Sequence, residues 1–154
     1  MRVEGEATRY PFFPVVVKYP RPRYNGMDSV VHFEIPADDP TRASKFYSDA
    51  FGWNIMKWDG PTPYWMVSTT ESDENGRPKN PGSINGGMAK REGPVKSIVV
   101  TVMVDDIDKA LQKVEKAGGM TVEKKQPIGD MGFSAYFKDS EGNVVGLFQA
   151  TGRM

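Results

Sequence analysis

The feature that most constrains this 154-residue chain is an internal repeat, because its two halves can be laid on each other. Ala-Asp-Asp-Pro at residues 37–40 matches Val-Asp-Asp-Ile at residues 104–107, at an offset of 67. Near the end of each half, Gly-Ser-Ile-Asn-Gly at 82–86 matches Gly-Asn-Val-Val-Gly at 142–146, at an offset of 60. The identity is low, so the repeat rests on pattern. It indicates two copies of one supersecondary unit.

The first half is predicted to be a β-α-β-β-β unit. Residues 30–35 alternate like a half-buried strand. Asp39 followed by Pro40 is typical of a helix start, and an apolar stripe at helical spacing then runs over residues 43–51 until Gly52 ends it. Three strands are predicted to follow, at residues 53–58, 64–69 and 83–89.

The second half repeats this order of elements. Residues 97–104 are a predicted strand, and either Asp105 or Asp106 caps a predicted helix. Gly118 and Gly119 end that helix. Three strands are again predicted to follow, at residues 120–125, 133–138 and 144–150.

We therefore predict an α+β fold of two tandem β-α-β-β-β modules, residues 29–92 and 96–150. One such module leaves a sheet face and an edge unprotected, whereas two modules related by a pseudo-twofold axis can close around a shared surface. The eight strands are expected to form curved mixed sheets around a concave cleft.

The first 28 residues differ from the rest and are predicted to be an extended arm that precedes one domain at residues 29–154. Prolines at positions 11, 14, 20 and 22 break any helix there. Three interpretations stay open. The arm lies on the domain or on a neighbouring copy, or it adds a strand to a sheet edge or to a dimer contact. The third is that Met27 is the natural start.

Composition excludes several classes of function. Twenty basic residues balance twenty acidic ones, which argues against a general nucleic-acid binder. The chain has no cysteine, so disulfides, cysteine zinc sites and thiol catalysis are excluded. No apolar run approaches the roughly 20 residues that a membrane helix needs. We expect a cytoplasmic protein with no nucleic-acid or membrane partner.

The predicted first strand carries the only histidine of the chain, His32, with Glu34 two residues further on. Alternation puts these two side chains on one face of the strand, and Val31, Phe33 and Ile35 on the other. The polar face either meets solvent or lines a pocket. Two interpretations of His32 stay open: a hydrogen-bonded residue of the pocket wall, or a general acid/base that the neighbouring carboxylate orients.

Several motifs together resemble those of the vicinal oxygen chelate superfamily, which includes glyoxalases, bleomycin-resistance proteins and extradiol dioxygenases. The motifs are His-Phe-Glu-Ile-Pro at 32–36, Asp39-Pro40, Phe46-Tyr47, Phe-Gly-Trp at 51–53, Val-Asp-Asp-Ile at 104–107, Asp-Ser-Glu-Gly-Asn at 139–143 and Gly-Leu-Phe at 146–148. The match covers about residues 29–150 and is most similar to the small glyoxalase-like proteins related to lactoylglutathione lyase. It implies the fold predicted above and, for an enzyme, a lyase or isomerase type of reaction.

The resemblance also implies where a metal would bind. In metal-bearing members, the opening and closing strands of each half supply one His, Glu or Gln ligand each. The first position is His32, and the offset of 67 puts its partner at Val99. The closing positions are Gly146 and, by the offset of 60, Gly86. Only the histidine can coordinate, so we predict no cofactor; the alternative is a divalent metal with ligands recruited from elsewhere, such as Glu34.

The predicted function is a small-molecule pocket inside the cleft, with His32 and Glu34 as candidate catalytic residues. Further candidate pocket residues are Trp65, Asn85, Met131 and Tyr136. One alternative is a metal-dependent lyase or isomerase of glyoxalase type, and another is a protein-interaction subunit that uses the arm. A small-molecule ligand and a second copy in a homodimer are the expected partners.

Overall fold

The computed structural model of the chain describes residues 26–74 and 76–151. Residues 1–25, which form most of the predicted arm, lie outside the described residues, so the arm stays a prediction. The described part contains ten elements, in the order strand, helix and three strands, followed by the same order again.

The first half consists of β1 (Val30–Ala37), α1 (Pro40–Phe51), β2 (Asn54–Trp58), β3 (Tyr64–Ser68) and β4 (Gly86–Lys90). The second half consists of β5 (Val99–Met103), α2 (Ile107–Lys116), β6 (Met120–Ile128), β7 (Gly132–Lys138) and β8 (Val144–Ala150). The predicted α+β fold of two β-α-β-β-β modules is therefore confirmed.

Both helices begin where an aspartate caps the first turn. The Asp39 side chain accepts a hydrogen bond from the Arg42 N–H at 3.1 Å, and the Asp106 side chain accepts one from the Lys109 N–H at 3.0 Å. Each bond satisfies a backbone donor that the helix cannot pair internally. Gly52 ends α1 with a φ of 71°, which glycine adopts without strain.

The eight strands form one continuous sheet in the order β2-β3-β4-β1-β5-β8-β7-β6. At its centre β1 and β5 run antiparallel, and the partners include Glu34 with Val99 and His32 with Thr101. The sequence offset of 67 exchanges these two pairs, so a pseudo-twofold axis passes between them. The curved sheets expected from the repeat are therefore two halves of one sheet.

Both helices cover the same face of the sheet, and the other face is concave. Over the first half, Ala43 and Tyr47 of α1 pack onto a cluster around the fully buried Met88. Over the second half, α2 buries Ile107 and Leu111, each worth about 1.5–3 kcal/mol of transfer free energy. We call the uncovered concave face the cup. Within residues 26–74 and 76–151, neither helix is long and apolar enough to cross a bilayer.

One irregularity in β1 changes a predicted face. Val30 pairs with Val102 and His32 pairs with Thr101, so Val31 is an extra residue in a β-bulge. Val31 lines the cup beside His32, although strict alternation predicted the opposite face. That prediction was wrong because the two-residue period holds only where strand pairing is uninterrupted.

Candidate functional site

The cup encloses a cavity of about 480 Å³, a size typical of small-molecule sites. Its apolar lining includes Val31, Trp58, Ile128 and Phe148, and prolines 61, 63, 94 and 127 also line it. A buried cluster in which Met66, Met103 and Met131 pack with Phe148 adjoins the cavity through Phe148. An organic molecule would therefore meet mainly apolar surface on the walls.

Four side chains form a buried polar network in this cavity. The Tyr136 hydroxyl donates a hydrogen bond to Glu34 Oε1 at 2.5 Å. His32 Nε2 and the Tyr64 hydroxyl share a hydrogen bond at 2.8 Å, and the Tyr64 hydroxyl also bonds to Glu34. His32 and Glu34 are each only 7% exposed. Tyr64 therefore links the histidine to the glutamate within one network.

Burial sets the protonation of this network. Loss of hydration lowers the pKa of His32 to about 4, so its imidazole is neutral at pH 7. Loss of hydration also raises the pKa of Glu34, hydrogen bonds from Tyr136 and Tyr64 oppose this rise, and the negative charge of Glu123 adds to it. Burial and the nearby Glu34 raise the pKa of both tyrosines, which therefore stay protonated donors.

Strand register brings these residues together from both modules. Directly opposed residues form one row across five strands, in the order Glu123, Tyr136, Gly146, Thr101 and His32. All five line the cavity. Because the row crosses the pseudo-twofold axis, the network exists only when the two modules pair through β1 and β5.

The glycine beside the network in the first half is Gly87, and not Gly86 as the sequence offset suggested. Glu34 pairs with Gly87 on β4, and the equivalent pair of the second half contains Gly146. A Cβ added to Gly87 would overlap the Tyr64 hydroxyl, whereas one on Gly86 would meet the β1 backbone. The offset of 60 is one residue away from the pairing in the structure. Because neighbouring residues of a strand point to opposite faces, this error selects the glycine on the wrong face of β4.

Replacing Gly87 with alanine is expected to lower the free energy of unfolding by about 1–3 kcal/mol, the usual cost of overpacking. The added methyl group would displace the Tyr64 hydroxyl from its hydrogen bond with His32. Urea unfolding followed by tryptophan fluorescence measures the change. Gly146→Ala is the matched control, because its Cβ would overlap less severely, with the Thr101 hydroxyl at 2.8 Å and the rest of that side chain at 3.5 Å. Equal losses in the two variants would contradict the role of Gly87.

The resemblance assigns metal ligands to four positions, His32, Val99, Gly86 and Gly146, and strand pairing replaces Gly86 with Gly87. Three of these have no side-chain donor atom, and His32 Nε2 is hydrogen-bonded to Tyr64. Among residues 26–74 and 76–151, no three His, Asp or Glu side chains lie close enough together to hold one ion. This donor set does not fit a divalent metal that needs three or four protein ligands.

Only some of the predicted site residues line the cavity, and these are His32, Glu34 and Tyr136. Trp65 lies on the helix side of the sheet, packed on the cluster beneath α1, with Lys57 Nζ 5.8 Å from its ring centroid. Met131 belongs to the buried methionine cluster that adjoins the cavity. Neither side chain is in the cavity lining, and residue type alone does not predict the face, because an aromatic or methionine residue packs equally well on either side of a sheet.

Asn85 also lies outside the cavity lining, and its side chain is only 1% exposed. Its Oδ1 accepts hydrogen bonds from the N–H groups of Thr69 at 2.8 Å and Thr70 at 3.1 Å. Its Nδ2 donates to Ser72 Oγ at 3.1 Å. Asn85 therefore holds the loop that follows β3, and it was assigned to the pocket because polarity alone does not tell a loop anchor from a ligand contact.

The structure adds eight polar lining residues that the sequence interpretation missed, namely Thr62, Tyr64, Lys90, Glu92, Thr101, Glu123, Gln126 and Ser134. Tyr64 could have been found by alternation, since it lies two residues before Met66 on a strand whose other face meets α1. Glu123 could not, because β6 is irregular on both sides of it. The repeat could not predict the roles of Tyr64 and Tyr136, because the equivalent positions of the other half carry no tyrosine.

Comparison with known proteins gives a family match over most of the chain. A model described as the Glyoxalase/Bleomycin resistance protein/Dioxygenase superfamily matches residues 29–147. A glyoxylase-like domain-containing protein of Didymella fabae is 31% identical over 126 residues, which cover 78% of this chain and 92% of that protein. CFP32 of Mycobacterium tuberculosis is 30% identical over 123 residues, or 76% of this chain. The chain spans only 44% of the length of CFP32.

Solved structures of low sequence identity share the fold. The hypothetical protein BH1468 from Bacillus halodurans C-125 has a TM-score of 0.60 at 12% identity, covering 82% of this chain and 97% of its own. Methylmalonyl-CoA epimerase from Mycobacterium tuberculosis has a TM-score of 0.55 at 15% identity, covering 79% of this chain and 87% of its own. At these identities the likeness extends to the fold alone.

Proposed function

The chain belongs to the Glyoxalase/Bleomycin resistance protein/Dioxygenase superfamily, and on that premise we propose that its cup binds a small organic molecule without a divalent metal. The observation that carries the proposal is the cavity of about 480 Å³ with a buried His32–Tyr64–Glu34–Tyr136 network in it. Buried polar groups that converge in an apolar cavity are typical of ligand sites.

The lining supports a ligand with an apolar body and one polar end. Val31, Trp58 and Phe148 offer apolar and aromatic surface for the body. Glu34 and Tyr136 offer the acceptor and the hydroxyl group that would orient the polar end. A metal is not needed for this mode of binding, and the residues at the implied ligand positions do not favour one.

Compounds that bind in the cup are expected to raise the melting temperature, whereas Ni²⁺, Zn²⁺ and Mn²⁺ are expected to leave it unchanged. A ligand at about 100 times its dissociation constant stabilises a protein by about 2.7 kcal/mol, which a thermal melt detects. The screen uses small acids, aldehydes, thioesters, alcohols and amines. Stabilisation by a metal that disappears in His32→Ala would overturn the proposal in favour of a metal-dependent glyoxalase-type lyase or isomerase.

A conservative variant tests whether the hits bind in the cup. Tyr136→Phe keeps the ring but removes the hydroxyl that donates to Glu34. The carboxylate that orients the polar end then loses one of its hydrogen-bond donors, so we expect binding to weaken about 10-fold. Tyr47→Phe is the matched control, because Tyr47 packs on the opposite face of the sheet. Equal affinities in both variants would place the binding site elsewhere.

Catalysis is a second candidate, which one observation favours. Burial raises the pKa of Glu34, and two tyrosine hydroxyls contact it, so this carboxylate is a stronger base than an exposed glutamate and is suited to accept a proton from a ligand. In that role His32, neutral at pH 7, would position Tyr64 through their hydrogen bond. Nuclear magnetic resonance of each hit in D₂O separates the two candidates. A protein that only binds the ligand leaves its C–H groups unexchanged. An enzyme of this kind replaces a ligand C–H hydrogen with deuterium, and it loses this activity when Glu34 is replaced.

The remaining expectations from the sequence stay predictions. Light scattering tests the homodimer, and cell fractionation tests the cytoplasmic location. A protein-interaction role of the N-terminal segment would gain support if no compound of any class changed the melting temperature.

A further inference from the structure

We propose that the polar end of the ligand is an organic ammonium ion that binds between Glu34 and Glu123, and that the cup rejects organic anions of the same size. This inference rests on the proposed function and names the class of ligand for the same cavity. The direction of the hydrogen bonds, the charges of the lining and the aromatic surface support it.

The hydrogen bonds already formed around Glu34 favour a ligand that donates hydrogen bonds to this carboxylate. The hydroxyl of Tyr136 donates to Glu34, and the hydroxyl of Tyr64 also bonds to it. Both donors are therefore engaged by the carboxylate, which as an ionised group has more acceptor sites than these two bonds use. A ligand carboxylate or phosphate would have to take the tyrosine donors from a buried carboxylate and would bring a second negative charge beside it.

Glu34 is also a buried acid without a basic partner in the described part of the chain. Its side chain is only 7% exposed, and none of the ion pairs formed within residues 26–74 and 76–151 involves it. A buried carboxylate is costly unless it is paired or neutralised. A ligand cation would supply the missing charge, and its N–H groups would supply charge-assisted hydrogen bonds.

The charged lining of the cavity is acidic as a whole. Three glutamates, Glu34, Glu92 and Glu123, line it against one lysine, Lys90. Lys90 and Glu92 are exposed at the edge, where solvent screens them. Glu123 lies directly opposite Tyr136 across β6 and β7, so its carboxylate is on the same side of the network as Glu34. The cavity therefore attracts cations.

Aromatic rings line the same cavity as these carboxylates. Trp58, Tyr64 and Phe148 line the cavity, and the rings of Trp58 and Tyr64 meet edge to face with their centroids 6.5 Å apart. An ammonium group near the face of such rings gains a cation–π attraction, and the apolar part of the same ligand gains burial. Aromatic surface together with carboxylates fits an amine on an apolar body better than it fits a neutral polar molecule.

Isothermal titration at pH 7 with three probes of matched size tests the charge. The probes are 2-phenylethylamine, 2-phenylethanol and 3-phenylpropanoate, and the protein is the full chain. We expect the amine to bind about 10-fold more tightly than the alcohol, since a charge-assisted hydrogen bond replaces a neutral one. We expect the carboxylate to bind more weakly than both. A carboxylate that binds as tightly as the amine would overturn the inference.

Matched variants locate the charge recognition. Glu34→Gln and Glu123→Gln are each expected to weaken amine binding about 10-fold and to leave alcohol binding within about 3-fold, because only the charge is removed. Glu141→Gln, in the exposed turn between β7 and β8, is the control and should change neither. If Glu34→Gln fails to fold, Glu123→Gln alone carries the test, because Glu123 is only partly buried.

The outcomes separate this inference from the proposed function. If none of the three probes binds while neutral or anionic compounds of the wider screen do, the ammonium inference is wrong and the small-molecule site stands. If no compound of any class binds, both are wrong. If the amine binds equally well to both glutamine variants and to the parent protein, the carboxylates do not recognise it and the inference is overturned.

Discussion

Replacing Asn85 with alanine is expected to lower the free energy of unfolding by about 2–4 kcal/mol. The side chain is buried, and its Oδ1 accepts hydrogen bonds from two successive backbone N–H groups, those of Thr69 and Thr70. Its Nδ2 donates to the Thr70 carbonyl at 3.3 Å and to Ser72 Oγ. Alanine would leave these partly buried groups without the anchor that holds the loop against the start of β4.

The matched control for this change is Asn80→Ala, because Asn80 lies in the same loop with an exposed side chain. Urea unfolding of both variants gives the two free energies, and the control is expected to stay within about 0.5 kcal/mol of the parent protein, as surface substitutions usually do. If Asn85→Ala costs no more than the control, Asn85 does not anchor the loop.

Lowering the pH from 7 to 4 is expected to destabilise the protein by about 3 kcal/mol relative to a His32→Gln variant. The pKa of His32 is about 4 in the folded protein, because burial removes its hydration, and it returns to its ordinary value of about 6.5 on unfolding. Between these two values the unfolded chain binds a proton that the folded protein does not. Stability therefore falls as the pH falls through this window.

Glu34 changes the pH dependence of stability in the opposite direction, and comparing the parent protein with His32→Gln cancels this effect. Its pKa is raised in the folded protein, so the stability it provides at low pH is lost as the pH rises through that raised value. His32→Gln keeps Glu34, and the chain has no other histidine, so the difference between the two proteins reports His32 alone. A difference that stays constant from pH 7 to pH 4 would show that His32 titrates normally and is not buried.

Much of the fold could be predicted because its determinants are local. The aspartate caps, the apolar stripes and the alternating strands depend on residues within one or two turns of each other. The repeat extended this local information to the whole chain, and its offset of 67 is the one that relates the paired residues of β1 and β5. The faces of β1 were predicted correctly at His32 and Glu34, both of which line the cavity, and wrongly at Val31, where the bulge lies.

The site was predicted only in part, because its members are joined by pairing between distant strands. Glu34 and Tyr136 are 102 residues apart in sequence. The local sequence pattern predicts neither their hydrogen bond nor the link from Glu34 through Tyr64 to His32. Trp65 and Met131 were assigned to the pocket by residue type, and the sheet turns one to the helix side and buries the other in the core.

The sequence by itself determined the two β-α-β-β-β modules, the approximate span of each helix and the strand that carries His32 and Glu34, since propensity, capping and periodicity act over short distances. Only the tertiary structure decided which glycine opens space beside Glu34, which tyrosines contact that carboxylate and which charges line the cavity. The physical reason is register. A shift of one residue between paired strands exchanges the two faces of a sheet, and register is set by the packing of the whole domain.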